Sequence, residues 1–238
     1  MRIAMWSGPR NISTAMMYAF AVRTDFAVVD EPFYAAYLHL TGIDHPMRDA
    51  IIASQATDPK AVIGGLLGPI PEGKPHFYQK HMTQHMVGGI PRGWLDQVTN
   101  VFLIRHPARV IASYAAKREN PTLDDLGYRQ QAELFDRVSQ KTGKAPLVLD
   151  SVDIRRDPAR MLAALCSAIG LTFQPAMLAW PKGGHKQDGI WAAHWYQAVW
   201  RSTGFAGPEG ELPELVSDHR ELADQAQVHY QQMVRWKI

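Results

Sequence analysis

The sequence predicts an α/β protein built on a parallel sheet with helices on both faces. Three observations carry this reading. Strand-like and helix-like segments alternate along the chain. The strand candidates at 1–6, 26–29, 98–104 and 146–149 are continuous apolar runs, the pattern of strands buried on both sides. The residues suited to ligand chemistry follow strand ends: 8–14, Asp30-Glu31, Lys80-His81, Arg105 and Asp150. Open parallel sheets bind ligands outside the carboxyl ends of their strands, so these residues are expected to share one rim.

The elements can be justified in order. Residues 1–6 are short and apolar, and 14–22 are rich in helix formers, too apolar for a surface helix. The second strand ends in Asp30-Glu31, where Pro32 stops it or opens a helix. Residues 34–40 read as a helix or the wall of a cleft. Residues 41–74 are irregular, with short helices at 47–55 and 59–67, and are expected to be an insertion near the substrate side. A strand is predicted at 76–79, with Lys80 and His81 following its end. The run 98–104 is the clearest buried strand, and it leads into a helix begun by Pro107. A long amphipathic helix is predicted over 122–141, closed by Gly143, and another over 157–169, closed by Gly170. Residues 181–210, rich in Gly, His and Trp, read as a functional loop or cap, and 217–236 as a polar terminal helix.

The composition fits a single domain spanning 1–238: of 238 residues, 46% are hydrophobic and 20% charged. A net charge of +2 without a dense basic run argues against a nucleic-acid partner. No apolar run approaches the ~18 residues of a membrane span, and the first apolar stretch is cut short by Ser-Gly-Pro-Arg. A cytoplasmic location is expected. The lone Cys166 lies on an apolar helix face and reads as a core residue.

The stretch around Pro9-Arg10-Asn11-Ile12-Ser13-Thr14 joins the first strand to the first helix. A helix start presents unpaired N–H groups and the positive end of its dipole, which suits an anion. Arg10 adds a cationic fork and Ser13 and Thr14 add hydroxyl donors. The bland alternative is an ordinary turn with Ser13 as helix cap. The stretch is no Walker A loop, because it lacks the second Gly and the Lys.

Four places together resemble the sulfotransferase family, whose members use 3′-phosphoadenosine-5′-phosphosulfate (PAPS) and release PAP. The loop Pro9-Arg10-Asn11-Ile12-Ser13-Thr14 is similar to the family's 5′-phosphosulfate loop, with Ile12 where the family usually has Gly; a side chain there is expected to crowd the phosphate or shift the loop. Arg105 and Ser113, eight apart after a buried strand, are similar to its 3′-phosphate motif. Residues 147–154, followed by Asp157-Pro158, are similar to a later strand-and-helix pattern, with Asp150 in place of the usual Tyr. Lys182-Gly183-Gly184 resembles the late loop that closes over the donor.

The resemblance implies a three-layer P-loop-like fold, with PAPS as donor and a small-molecule hydroxyl or amine as acceptor. It places Arg10 beside the bridging oxygen, Ser13, Thr14 and the loop amides on the 5′ side, and Arg105 and Ser113 on the 3′-phosphate. The general base is Glu31, or else His81, with Lys80 assisting the donor. No metal is expected. Two alternatives stay open. Four apolar residues before Asp30-Glu31 resemble a Walker B end, which would suit a nucleotide hydrolase or kinase, and the fold also suits a non-catalytic phosphate binder.

Overall fold

The structure, a computed structural model, describes residues 1–115 and 121–238. Among the described residues, five strands form one sheet: β1 (Arg2–Ser7), β2 (Phe26–Asp30), β3 (His76–Met82), β4 (Thr99–Ile104) and β5 (Leu147–Asp150). Their order is β2-β3-β1-β4-β5, and every neighbouring pair is parallel. The register sets Trp6 beside His81 and Phe102, and Asp30 beside Lys80, so the strands end nearly level.

The described helices are α1 (Ser13–Ala21), α2 (Tyr34–Thr41), α3 (Arg48–Ser54), α4 (Pro59–Leu67), α5 (Pro107–Ala115), α6 (Leu123–Leu126), α7 (Tyr128–Thr142), α8 (Ser151–Arg156), α9 (Pro158–Ala168), α10 (Ala192–Trp195), α11 (Gln197–Trp200) and α12 (Ser217–Val234). One sheet face, presenting Trp6, Phe102, Ile104 and Val148, packs against α4, α5, α7 and α12. The other, presenting Ile3, Met5, Tyr78, Leu103 and Leu149, packs against α1 and α9, with Cys166 buried among them. A third cluster joins Tyr34, Leu38 and Ile51 to Trp191 and Tyr196. Fully burying one such side chain contributes about 1.5–3 kcal/mol, and this sum holds the layers together. No helix among the described residues is long and apolar enough to cross a membrane.

The chain leaves β1 toward one face, through α1, and leaves β4 toward the other, through α5. The two exits part between β1 and β4, which opens a crevice at the rim of the sheet.

Three elements differ from the sequence reading. The helix expected over 122–141 is broken at Gly127, which has φ +71° and separates α6 from α7. A side chain there would meet Thr83 Oγ1 at 2.5 Å, so the close approach of Thr83 and the left-handed turn both require glycine. A short helix, α8, precedes α9; Asp150 caps it by accepting from the Val152 amide at 3.1 Å, and Tyr230 of α12 donates to the same carboxylate at 2.6 Å. The third strand does not stop at residue 79. It runs to Met82, so Lys80 and His81 lie inside it.

Candidate active site

At the end of β1 the backbone turns through two left-handed residues, Arg10 (φ 56°) and Ile12 (φ 48°), and a third, Glu31 (φ 42°), follows β2. Such conformations cost roughly 1–3 kcal/mol each for residues other than glycine and persist only where the surroundings enforce them. Asn11 is the enforcing group in the loop: its buried amide donates to the Leu103 carbonyl at 2.6 Å and pins the turn to β4. Ile12 adopts the backbone a glycine would supply, while its side chain packs against the apolar core beside α1. The helix start at Ser13 has no side-chain cap, which sets aside Ser13 as N-cap and leaves the first-turn amides open toward the crevice.

The crevice is a cavity of about 340 Å³. Pro9, Arg10, Asn11, Ile12, Ser13 and Thr14 line it, as do Glu31, Lys80, Arg105 and Ser113. Arg10 Nε donates to Ser113 Oγ at 2.9 Å. Arg105 donates to the Arg10 carbonyl through one terminal nitrogen and to the Glu209 carboxylate through the other. Burial and the neighbouring Arg105 both work against the Arg10 charge, and an incoming anion would relieve that repulsion.

The opposite end is built around Lys80, a lysine only 1% exposed. Its ammonium donates to Asp30 Oδ1 and Glu31 Oε1, each at 2.8 Å, and to the Tyr196 hydroxyl. That hydroxyl also lies 2.8 Å from Asp30 Oδ2 and 3.0 Å from Glu31 Oε1, and accepts from Trp191 Nε1 at 3.1 Å. Burial works against the Lys80 charge, but the two carboxylates outweigh it and the pKa rises. Burial pushes the Asp30 carboxyl upward against the pull of Lys80. The ammonium fills the gap between the carboxylates that a Walker B reading would give to a magnesium ion.

His81 stands on the other side of the sheet. Successive strand residues face opposite ways, so Lys80 reaches the cavity while His81 stacks on Trp6 at 4.4 Å and contacts Phe33 and Trp94. It is buried, does not line the cavity, and burial pushes its pKa down to about 3. His85, also buried, stacks between Tyr34 and Tyr37, with its Nε2 3.9 Å from Glu31 Oε2. Lys182, Gly183 and Gly184 do not line the cavity either. The Gly183 amide donates to the Trp200 carbonyl at 2.8 Å, and the stretch that follows is organised around Asp188, which accepts from Tyr18, Trp200 and the His185 amide.

Sequence reasoning passed over Tyr196, Arg155 and Glu209. Tyr196 sits within 181–210, so its region was legible but its role was not. Arg155 lies on the helix that went unpredicted, and Glu209, like Tyr196, sits within 181–210 without a local pattern that marks its role.

A five-stranded parallel sheet with an arginine-bearing loop leading into a helix at its rim defines an α/β protein of the P-loop-like class. The family model described as "Sulfotransferase domain" matches residues 1–236, and the chain belongs to that family. The sulfotransferase domain from the curacin biosynthetic pathway has a TM-score of 0.58 at 16% identity, covering 94% of this chain and 96% of its own. The sulfotransferase from Alicyclobacillus acidocaldarius has a TM-score of 0.54 at 12% identity, covering 98% and 93%. Both are likenesses of fold. In sequence, branched-chain-amino-acid aminotransferase-like protein 2 of Arabidopsis thaliana is 32% identical over 223 residues, 94% of this chain but 39% of the relative. The similarly named protein 1 is 33% identical over 224 residues, 94% of this chain and 40% of the relative. The chain thus spans about two fifths of the length of these curated relatives.

Proposed function

We propose that this sulfotransferase moves a sulfuryl group from PAPS to a hydroxyl or amine of a small-molecule acceptor and releases PAP. One observation carries the reading. A single cavity is lined at one end by Arg10, Ser13, Thr14, Arg105 and Ser113, and at the other by Glu31 and Lys80. Guanidinium groups and hydroxyls in that number suit a donor bearing several phosphate charges.

PAPS supplies the SO₃ unit and a phosphate leaving group. The chain's residues do the rest. The amides opening α1, with Ser13 and Thr14, hold the 5′ side. Arg105 and Ser113 hold the 3′-phosphate, and Arg10, hydrogen-bonded to Ser113, neutralises charge as it develops on the departing oxygen. Glu31 takes the proton of the acceptor as the acceptor's oxygen or nitrogen bonds to sulfur. Lys80, donating to Glu31 Oε1 at 2.8 Å, holds that carboxylate in place at the cavity wall. Tyr34, Trp195 and Val199, on the same wall, give the acceptor an apolar surface.

The test is a thermal-shift series with PAP, AMP and ATP–Mg²⁺, since a bound ligand raises the melting temperature by mass action. PAP should stabilise well above AMP. Stabilisation by ATP–Mg²⁺ alone would favour a nucleotide hydrolase, and no shift with any of the three would favour a fold that binds none of them. Glu31→Gln should keep the PAP shift and lower transfer by about 10²-fold or more once an acceptor is found; full activity in that variant would remove Glu31 as the base.

A further inference from the structure

Among the described residues, three arginines from three elements meet one carboxylate. Arg155 Nη1 of α8 donates to Glu209 Oε1 at 2.8 Å, Arg109 Nε of α5 lies 3.0 Å from Oε2, and Arg105, at the end of β4, donates to Oε1. The Glu209 side chain is 1% exposed, although it sits in a stretch without helix or strand. The flanking backbone is held by the same arginines: Arg155 Nε donates to the Gly207 carbonyl at 2.8 Å, and Arg109 to the Gly210 carbonyl. Arg105 and Arg155 line the cavity.

We propose that Glu209 is an internal competitor for this site: a tethered carboxylate that holds the arginine cluster until a phosphomonoester displaces it, and so makes the site selective for doubly charged phosphates. The argument is one of position and charge. Both terminal nitrogens of Arg105 are already engaged, by the Arg10 carbonyl and by Glu209. A phosphate that takes the edge of Arg105 now held by Glu209, and the Arg155 nitrogen beside it, does so only if Glu209 lets go. A phosphomonoester brings about −1.5 to −2 charges and three acceptor oxygens, against the one charge of Glu209. A monoanion brings no such advantage, and it must also compete with a tethered group whose effective concentration is on the order of millimolar. The segment around Gly207 and Gly210 is then released from its arginines when the phosphate binds.

This inference rests on the donor reading in one respect, that the phosphate-bearing ligand reaches Arg105. The experiment is calorimetric titration of PAP, AMP and inorganic phosphate into wild type and into Glu209→Gln, which keeps the shape and removes the charge. PAP should bind about tenfold more tightly to Glu209→Gln, the scale of one lost charge-assisted competitor. AMP, which has no 3′-phosphate, should be unchanged. Equal or weaker PAP binding would overturn the proposal and make Glu209 an organiser of the arginines. If wild type does not distinguish PAP from AMP, the donor reading fails by itself, and inorganic phosphate decides: binding gained in Glu209→Gln keeps the competitor, and none removes it. Glu209→Asp, which keeps the charge with a shorter reach, serves if the Gln variant does not fold; its PAP affinity should rise by a smaller factor, and no rise would overturn the proposal.

Discussion

The two ends of the cavity are built as opposites. At one, a single ammonium, Lys80, is enclosed by two carboxylates and a tyrosine hydroxyl. At the other, a single carboxylate, Glu209, is enclosed by three guanidinium groups. The first is carried by strand β3 and the end of β2, and the carboxylates around its ammonium are 1% and 9% exposed, so no solvent can replace a lost partner. The second is carried by a loop, with arginines 15% to 21% exposed, where water or another anion can take over. Similar Coulombic pairings thus make one fixed end and one exchangeable end, and the difference lies in burial and in the rigidity of the supporting backbone.

The comparison breaks most readily at the fixed end. Lys80→Met strands two buried carboxylates and should cost about 3–5 kcal/mol of stability at neutral pH, read from urea unfolding. Adding Asp30→Asn should restore part of the loss; a single variant as stable as wild type would show that the end is not a closed ion cluster. At the exchangeable end, Arg105→Ala should weaken PAP binding by about 30-fold, roughly 2 kcal/mol, while the melting temperature moves little. Unchanged affinity would remove Arg105 from the 3′-phosphate.

The face behind the fixed end has its own signature. His81 titrates near 3 in the folded chain against an ordinary 6.5, with burial as the main cause. Between those values the unfolded chain binds a proton that the folded chain refuses. The contribution is therefore complete above about pH 6.5 and is lost as the pH falls toward 3, by up to about 1.4 kcal/mol per pH unit. His81→Phe, which preserves the stack on Trp6, should flatten the fall of the urea midpoint between about pH 6 and pH 4; an unaltered slope would assign it to other groups. The smallest effect belongs to Ile12→Gly, expected to change PAP affinity by less than about threefold, because Ile12 already adopts the left-handed backbone and packs its partly buried side chain against the core at the cavity wall. A gain beyond about tenfold would mean that the side chain crowds the ligand.

Much of this site was legible because its signals are local. A strand, a loop with Arg10, Ser13 and Thr14, and a helix lie within about twenty residues, and Arg105 and Ser113 are one strand end and one helix away from each other. What escaped was strand length at Lys80-His81-Met82. Two basic residues read as the start of a loop, yet Lys80 is tolerated inside the strand because Asp30 and Glu31 meet it. Once the strand is extended, its two-residue period separates the pair: one side chain to the cavity, the other to the core.

By itself the sequence determined the α/β class, the anion-suited loop and the succession of apolar strands, because these follow from periodicity and neighbouring residues. Only the tertiary structure decided that Tyr196 meets Asp30 across 166 positions, that Glu209 meets Arg105 across 104, and that His81 turns inward. Such meetings depend on strand order, register and helix packing, which no local pattern of residues encodes.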